Sequence, residues 1–226
     1  MDEVKVTVDG RQLTGPKDMT ILELARENGI YIPTLCYCPE LPPSGLCRVC
    51  VVEVEGSRTL AGSCHTPIAP GMVIHTDSDK VNQTRKIIVE LLLTSHAGLC
   101  LVCEKANMCE LRRLAADLEV GLPRFQTPKR YYPIEDISPY LKRDLSKCIL
   151  CRRCVLACGQ IAKQNIFAMA YRGFDSKVVV DNDQPIDKEV CRDCEICVSL
   201  CPTGALSKPV PTKTEKQEKP LVISGH

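Results

Sequence analysis

The pair Cys-x2-Cys recurs at four places along this chain, beginning at Cys47, Cys100, Cys148 and Cys191, and the last two extend into longer runs. No other feature limits the possible folds as much. Sixteen of 226 residues are cysteine, aromatic content is 4% and tryptophan is absent. Side-chain cores are therefore modest, and bound metal would supply part of the folding energy. In a small secreted chain this count would indicate a disulfide framework. The first ten residues alternate charged and apolar side chains and lack the apolar stretch of a secretory signal, so metal binding in a cytoplasmic chain is the expectation. The net charge is +1, with 29 basic and 28 acidic residues, which gives no basic excess for nucleic acid or a membrane surface. No apolar run approaches the roughly 18–20 residues that span a bilayer.

The periodicity divides the chain into an α+β series of segments. In residues 1–77, Val4, Val6 and Val8 alternate with polar residues as in a strand. Gly15-Pro16 marks a break. Thr20 and Glu23 form a capping box opening a helix with Ile21, Leu24 and Ala25 on one face, and Gly29 stands at its C-terminal end. A cysteine-rich loop and strands over Val51–Val54 and residues 72–75 follow, the element order of a β-grasp ferredoxin. Residues 78–122 read as two helices joined by a ligand loop. The first helix carries Val81, Thr84, Ile88, Leu91, Leu92 and Ser95 at helical spacing. The second carries Leu111, Leu114, Ala115 and Leu118 and ends at Gly121. Residues 123–139 hold four prolines and read as an ordered connector. Residues 140–209 contain two cysteine quartets, each followed by helix-compatible sequence, and a strand over residues 178–180. Residues 210–226 read as a flexible tail.

Four ligand sets emerge. Cys36, Cys47, Cys50 and Cys64 are spaced C-x10-C-x2-C-x13-C. This departs from the plant-type C-x4-C-x2-C run, yet four thiolates on a loop and a nearby strand can close a [2Fe–2S] shell. Zinc is the alternative, since C-x2-C also suits it. His96, Cys100, Cys103 and Cys109 follow as H-x3-C-x2-C-x5-C. Three cysteines fall one short of a [4Fe–4S] shell, and His96 stands at the missing slot. Cys148, Cys151, Cys154, Cys158 and then Cys191, Cys194, Cys197, Cys201 each read C-x2-C-x2-C-x3-C, the bacterial two-cluster run in which the fourth cysteine serves the other cluster. One [4Fe–4S] cluster is therefore expected on Cys148, Cys151, Cys154 and Cys201, its neighbour on Cys191, Cys194, Cys197 and Cys158. Pro202 follows the last cysteine as the pattern expects, whereas Gly159 replaces proline after Cys158. Fifteen cysteines and His96 make sixteen ligands for one [2Fe–2S] and three [4Fe–4S] clusters. Cys38 is left over and read as non-ligating, with a spare-ligand role as the alternative. His65 and His75 are read as structural, and His226 is the terminal residue. Lys147, Arg152, Arg153 and Arg192 surround the last two sets. They would either stabilise reduced clusters or form an ordinary solvated face.

The order of these sets resembles the N-terminal part of the large iron–sulfur subunit of complex I, with the quartet pair arranged differently. It is similar, more closely, to the small iron–sulfur (diaphorase) subunit of NAD-reducing [NiFe] hydrogenases and to the accessory region of [FeFe] hydrogenases. Related subunits occur in NAD-dependent formate dehydrogenases. The resemblance spans residues 2–209. It implies an electron-transfer subunit of an NAD(P)-linked oxidoreductase, with a flavin/NAD(P)-binding diaphorase partner near the [2Fe–2S] end and a catalytic hydrogenase or formate dehydrogenase partner near the other. No cysteine after Cys201 suggests a hydrogen-activating domain, and no G-x-G-x-x-G or phosphate loop suggests a nucleotide site. No catalytic residue is therefore expected. A free ferredoxin-like carrier and an electron-bifurcating complex are the alternatives.

Overall fold

The alternation of Val4, Val6 and Val8 becomes a strand. The computed structural model describes residues 3–97, 100–135, 138, 140–180, 183, 184, 186, 191 and 193–209. Strand β1 (Glu3–Val8) buries its three valines and pairs antiparallel with β2 (Arg11–Pro16). Between them Asp9 (φ 48°) and Gly10 (φ 80°) both sit in the left-handed region, the two-residue turn whose twist matches a hairpin. The expected break at Gly15-Pro16 lies inside the end of β2, with Gly15 opposite Val4. A Cβ on Gly15 would come within 2.9 Å of Leu24, so the glycine lets helix α1 (Ile21–Glu27) settle close to the sheet. The capping box forms as expected, with Thr20 and Glu23 bonded reciprocally. Asn28 caps the other end and Gly29 follows at φ 71°. Strands β3 (Val51–Val54), β4 (Ala61–Gly62) and β5 (Val73–His75) complete a sheet of order β2-β1-β5-β3-β4, with β5 parallel to β1. Its core joins the valines of β1 to Ile21, Leu22, Leu24, Ile68 and Ile74.

Helix α2 (Asp79–Ser95) starts at a Ser78 cap and ends at His96. Its buried face differs from the expected one: it runs through Val81, Arg85, Val89, Glu90 and Thr94, while Leu91 is 46% exposed. The cause is that two charged residues are inside. Arg85 donates to the Val51 carbonyl at 2.8 Å, and Glu90 accepts four hydrogen bonds of 2.6–3.2 Å from the backbone and guanidinium of Arg124. Helix α3 (Glu110–Asp117) stops before the expected Gly121, because Leu118 caps it and Glu119 turns left-handed at φ 49°. Leu111 and Leu114 of α3 pack with Val89, Leu35 and Val49, and Cys47 and Cys109 lie at the margin of this group.

The proline-rich connector is tied down along its described length. Beyond the Arg124 grip on Glu90, Arg130 lies over Phe174, the Tyr132 N–H bonds to Ser146 Oγ, and Glu135 receives the buried Arg143 guanidinium. Strand β6 (Lys142–Arg143) pairs with β9 (Leu206–Ser207), and β7 (Phe167–Ala170), not anticipated, pairs with β8 (Lys177–Val180). Short helices α4 (Arg153–Leu156), continued by a wider turn over Ala157–Ile161, and α5 (Ile196–Leu200) lie beside them. The core here draws heavily on cysteine: Cys158, Cys191 and Cys201 are buried with Leu141, Phe167, Val178 and Ile186. The content is mixed α+β, and no described helix is long and apolar enough to cross a membrane. The expected flexible tail, residues 210–226, and Arg192 lie outside the described residues.

Candidate metal centres

The four cysteines of the first set meet as two pairs. The backbone N–H of Cys36 points at Cys47 Sγ (3.4 Å) and that of Cys47 at Cys36 Sγ (3.5 Å). Arg48, at φ 60°, supports the tight loop that this needs. Within each pair one sulfur hydrogen-bonds the other. The Cys47 thiol pulls the Cys36 pKa well below its usual value, and Cys64 does the same to Cys50. Cys47 and Cys64 are pushed up by giving that hydrogen bond and by burial. Two pairs of facing sulfurs match two irons, each taking two thiolates. His65, read as structural, lies against this set: its Nδ1 is 3.5 Å from Cys64 Sγ and its ring occupies space left by Gly45 and Gly62.

In the second set, burial of Cys109 raises its pKa, with the charges of Cys103 and Cys100 adding to the effect. Cys109 also caps α3, accepting from the Arg112 N–H at 3.5 Å. His96 is 8% exposed, and burial keeps its imidazole below the usual histidine range, hence neutral at pH 7. Its Nδ1 is buried without a partner. A neutral imidazole with an orphaned nitrogen fits a metal ligand better than it fits an apolar interior.

The two quartets interleave. Cys148 and Cys151 each feel Cys201, and Cys154 feels all three, whereas Cys191 and Cys197 feel Cys158 and Cys194. One cavity is lined by Cys148, Cys151, Cys154 and Cys201, walled by Leu145, Val178 and Ala205. Burial drives the thiols up, Cys148 to about 11 and Cys151 and Cys197 to about 12. Backbone N–H groups of Leu150 and Ile166 donate to Cys148 and Cys158 sulfurs at 3.4 and 3.3 Å, the donors that an anionic cluster uses. Left-handed Leu150, Arg152 and Glu195 bend these loops around the sulfurs. Among the described residues no three His, Cys, Asp or Glu side chains close on a point fit for a single ion. The donor sets are thiolate-rich, which suits an iron–sulfur group.

Other expectations meet mixed outcomes. Cys38 joins no sulfur set: its thiol donates to Glu40 Oε2 at 2.6 Å, and it packs against Leu41 and Ala157. Arg153 does not belong to a solvated face, and its charge reaches Cys151. It is 6% exposed and clamps Glu110 at 2.7 and 2.9 Å, the Leu200 carbonyl and, across 116 residues, the Tyr37 carbonyl. Lys147 pairs with Asp144 at 2.9 Å. Thr203 and Gly204, which sequence reasoning passed over, stand on the wall between the second and third sets. Their only signal was adjacency to Cys201.

Residues 1–79 match the family described as a 2Fe-2S iron-sulfur cluster binding domain, residues 85–124 the NADH-ubiquinone oxidoreductase-G iron-sulfur binding region, and residues 138–207 the NADH-quinone oxidoreductase subunit 3, ferredoxin-like domain. The chain is 39% identical over 211 residues to the NADP-reducing hydrogenase subunit HndD of Solidesulfovibrio fructosivorans, covering 91% of this chain and 36% of that protein. It is 35% identical over 210 residues to the mitochondrial NADH-ubiquinone oxidoreductase 78 kDa subunit of Candida albicans, covering 92% of this chain and 29% of the relative. The chain thus spans about a third of the length of these curated relatives. A crystal structure of NAD+-reducing [NiFe]-hydrogenase in the H2-reduced state superposes with a TM-score of 0.81 at 28% identity, covering 93% of this chain and 89% of that one.

Proposed function

From the three consecutive iron–sulfur domains that this chain carries, we propose that it is an electron-relay subunit of an NAD(P)-linked oxidoreductase of the hydrogenase type. It binds one [2Fe–2S] cluster through Cys36, Cys47, Cys50 and Cys64. Three [4Fe–4S] clusters bind through His96, Cys100, Cys103 and Cys109; through Cys148, Cys151, Cys154 and Cys201; and through Cys191, Cys194, Cys197 and Cys158. The domains run over residues 1–77, a β-grasp ferredoxin, 78–122, a helical His/Cys3 unit, and 140–209, a two-cluster ferredoxin, with 123–139 as connector. A flavin-bearing, NAD(P)-binding partner docks at the first domain and a catalytic metal subunit at the last, in the cytoplasm.

The observation that carries this reading is the crossing of the quartets: Cys201 lines one cavity with Cys148, Cys151 and Cys154, while the charge of Cys158 reaches Cys191 and Cys197. That exchange is the signature of a two-cluster ferredoxin and has no use in a pair of separate zinc sites. When bound, the clusters accept and release single electrons. The chain's own residues aim backbone N–H groups at the sulfurs of Cys36, Cys47, Cys109, Cys148 and Cys158, which favours the reduced, more negative state. Anaerobic analysis of iron and acid-labile sulfide tests the assignment. About fourteen iron atoms per chain are expected from these cluster types. A value near four, or a preparation dominated by zinc, would overturn it.

A further inference from the structure

Three side chains line up beside the first ligand set. Cys64 is buried just after β4, and the next residue, His65, is exposed. His65 Nδ1 lies 3.5 Å from Cys64 Sγ, and its Nε2 lies 3.4 Å from a guanidinium nitrogen of Arg48. A guanidinium only donates hydrogen bonds, so Nε2 accepts and the ring carries its hydrogen on Nδ1, the nitrogen that faces the sulfur. A cysteine bound to iron is a thiolate with no hydrogen to give, so this contact runs in one direction, from ring to sulfur. Two glycines leave the ring its place. A Cβ on Gly45 would meet Nδ1 at 3.1 Å, and one on Gly62 would overlap Cε1 and come within 3.1 Å of the Arg48 guanidinium. The turn that carries the ring is itself fixed, because the Gly62 carbonyl accepts from the His65 N–H at 3.3 Å and from the Thr66 hydroxyl at 2.8 Å. Cys36 and Cys47 receive each other's backbone N–H, whereas the donor beside Cys64 is this side chain.

We propose that His65 is a positioning residue of the [2Fe–2S] site, its Nδ1–H donating to the Cys64 sulfur while Arg48 holds the ring in the tautomer that can donate. The inference rests on the assignment of Cys64 to that cluster above. A hydrogen bond to a ligating sulfur draws electron density away from the iron. It is stronger when the cluster carries the extra negative charge of the reduced state, so it raises the potential. The ring is held at both nitrogens, and outer partners held in this way orient and tune a metal's ligands. The effect belongs to one cluster, because the hydrogen bonds of the ring go to Cys64 and Arg48. If the ring served only to fill the gap between Gly45 and Gly62, any side chain of its shape would do as well, and the potential would not depend on the N–H.

The test is redox-poised EPR on the iron-loaded chain at a single pH, comparing wild type with His65→Phe and His65→Asn. A [2Fe–2S] signal in wild type secures the cluster before any variant is read. Its absence would remove the cluster and the proposal together, whereas the variants bear on His65 alone. Phenylalanine fills the space between the two glycines and has no hydrogen to give. With iron content unchanged, His65→Phe is expected to move the [2Fe–2S] signal to a more negative potential and to leave the three four-iron signals in place. Asparagine keeps an N–H donor at the position of Nδ1, and His65→Asn is expected to recover most of that shift. An intact [2Fe–2S] cluster with an unmoved potential in His65→Phe would overturn the proposal. So would a shift shared by all four signals, or a His65→Asn protein shifted as far as His65→Phe. If His65→Phe loses two irons, His65→Leu takes its place under the same criteria, and iron loss there or in His65→Asn would assign the ring to packing and overturn the proposal.

Discussion

At the residue scale the second set turns on His96. Its spacing nominated it, and the structure adds that it is buried, neutral and short of a partner at Nδ1. A thiolate in its place would add one negative charge to the cluster. His96→Cys is therefore expected to keep a four-iron cluster but lower its potential, and His96→Ala to leave that cluster labile, with a three-iron form appearing. EPR at controlled potential reads both outcomes in one signal while the others stay in place. An unmoved potential in His96→Cys, with intact four-iron spectra in His96→Ala, would remove His96 from the ligand set. Cys38 is the contrasting residue. Sequence alone left open a spare-ligand role, and its bond to Glu40 and burial against Ala157 give it a packing role between the first and last segments.

At the element scale, helix ends carry the organisation. Arg153 opens α4, Glu110 opens α3 and Leu200 closes α5, and one guanidinium joins all three to the loop of the first set at Tyr37. Removing one partner of a buried ion pair leaves the other uncompensated and typically costs about 3–5 kcal/mol. Glu110 keeps 32% of its side-chain surface exposed, so the lower end, roughly 3 kcal/mol, is expected for Arg153→Met. Urea unfolding of the loaded protein measures it, with iron content checked before the titration. A midpoint equal to wild type would show that the clamp contributes nothing. The apolar pattern misplaced the buried face of α2 for a related reason: Arg85 and Glu90 are inside because Val51 and Arg124 satisfy them, and hydrophobic periodicity cannot register a buried charge whose partner is far along the chain.

Across the whole molecule, two kinds of core coexist. The five-stranded sheet and α1 enclose an aliphatic core that includes Val6, Val8, Leu22 and Ile74. Residues 140–209 surround their cysteines with far less aliphatic packing. Thiols held near 11 to 12 must lose their protons to bind metal, so folding of that part is linked to the metal itself. Chelation under reducing conditions is expected to strip hydrogen-exchange protection from β7, β8, α4 and α5 while β1, β2 and β5 remain protected. Uniform retention of protection throughout the metal-free chain would contradict this. Uniform loss would show that the sheet also depends on its cluster.

What the sequence determined by itself was the local grouping of the cysteines, because their spacing is local: C-x2-C brings two sulfurs to one turn whatever the rest of the chain does. The capping box at Thr20, the alternation of β1 and the position of His96 at the end of α2 were legible for the same reason. Tertiary structure alone decided which neighbours lie between the sets. Gly204 sits beside Cys103 of the second set though it follows Cys201 in sequence, and Arg153 reaches Tyr37 across 116 residues. Contacts of that range depend on how sheet, helices and loops pack against one another, and packing leaves no periodic trace in the chain.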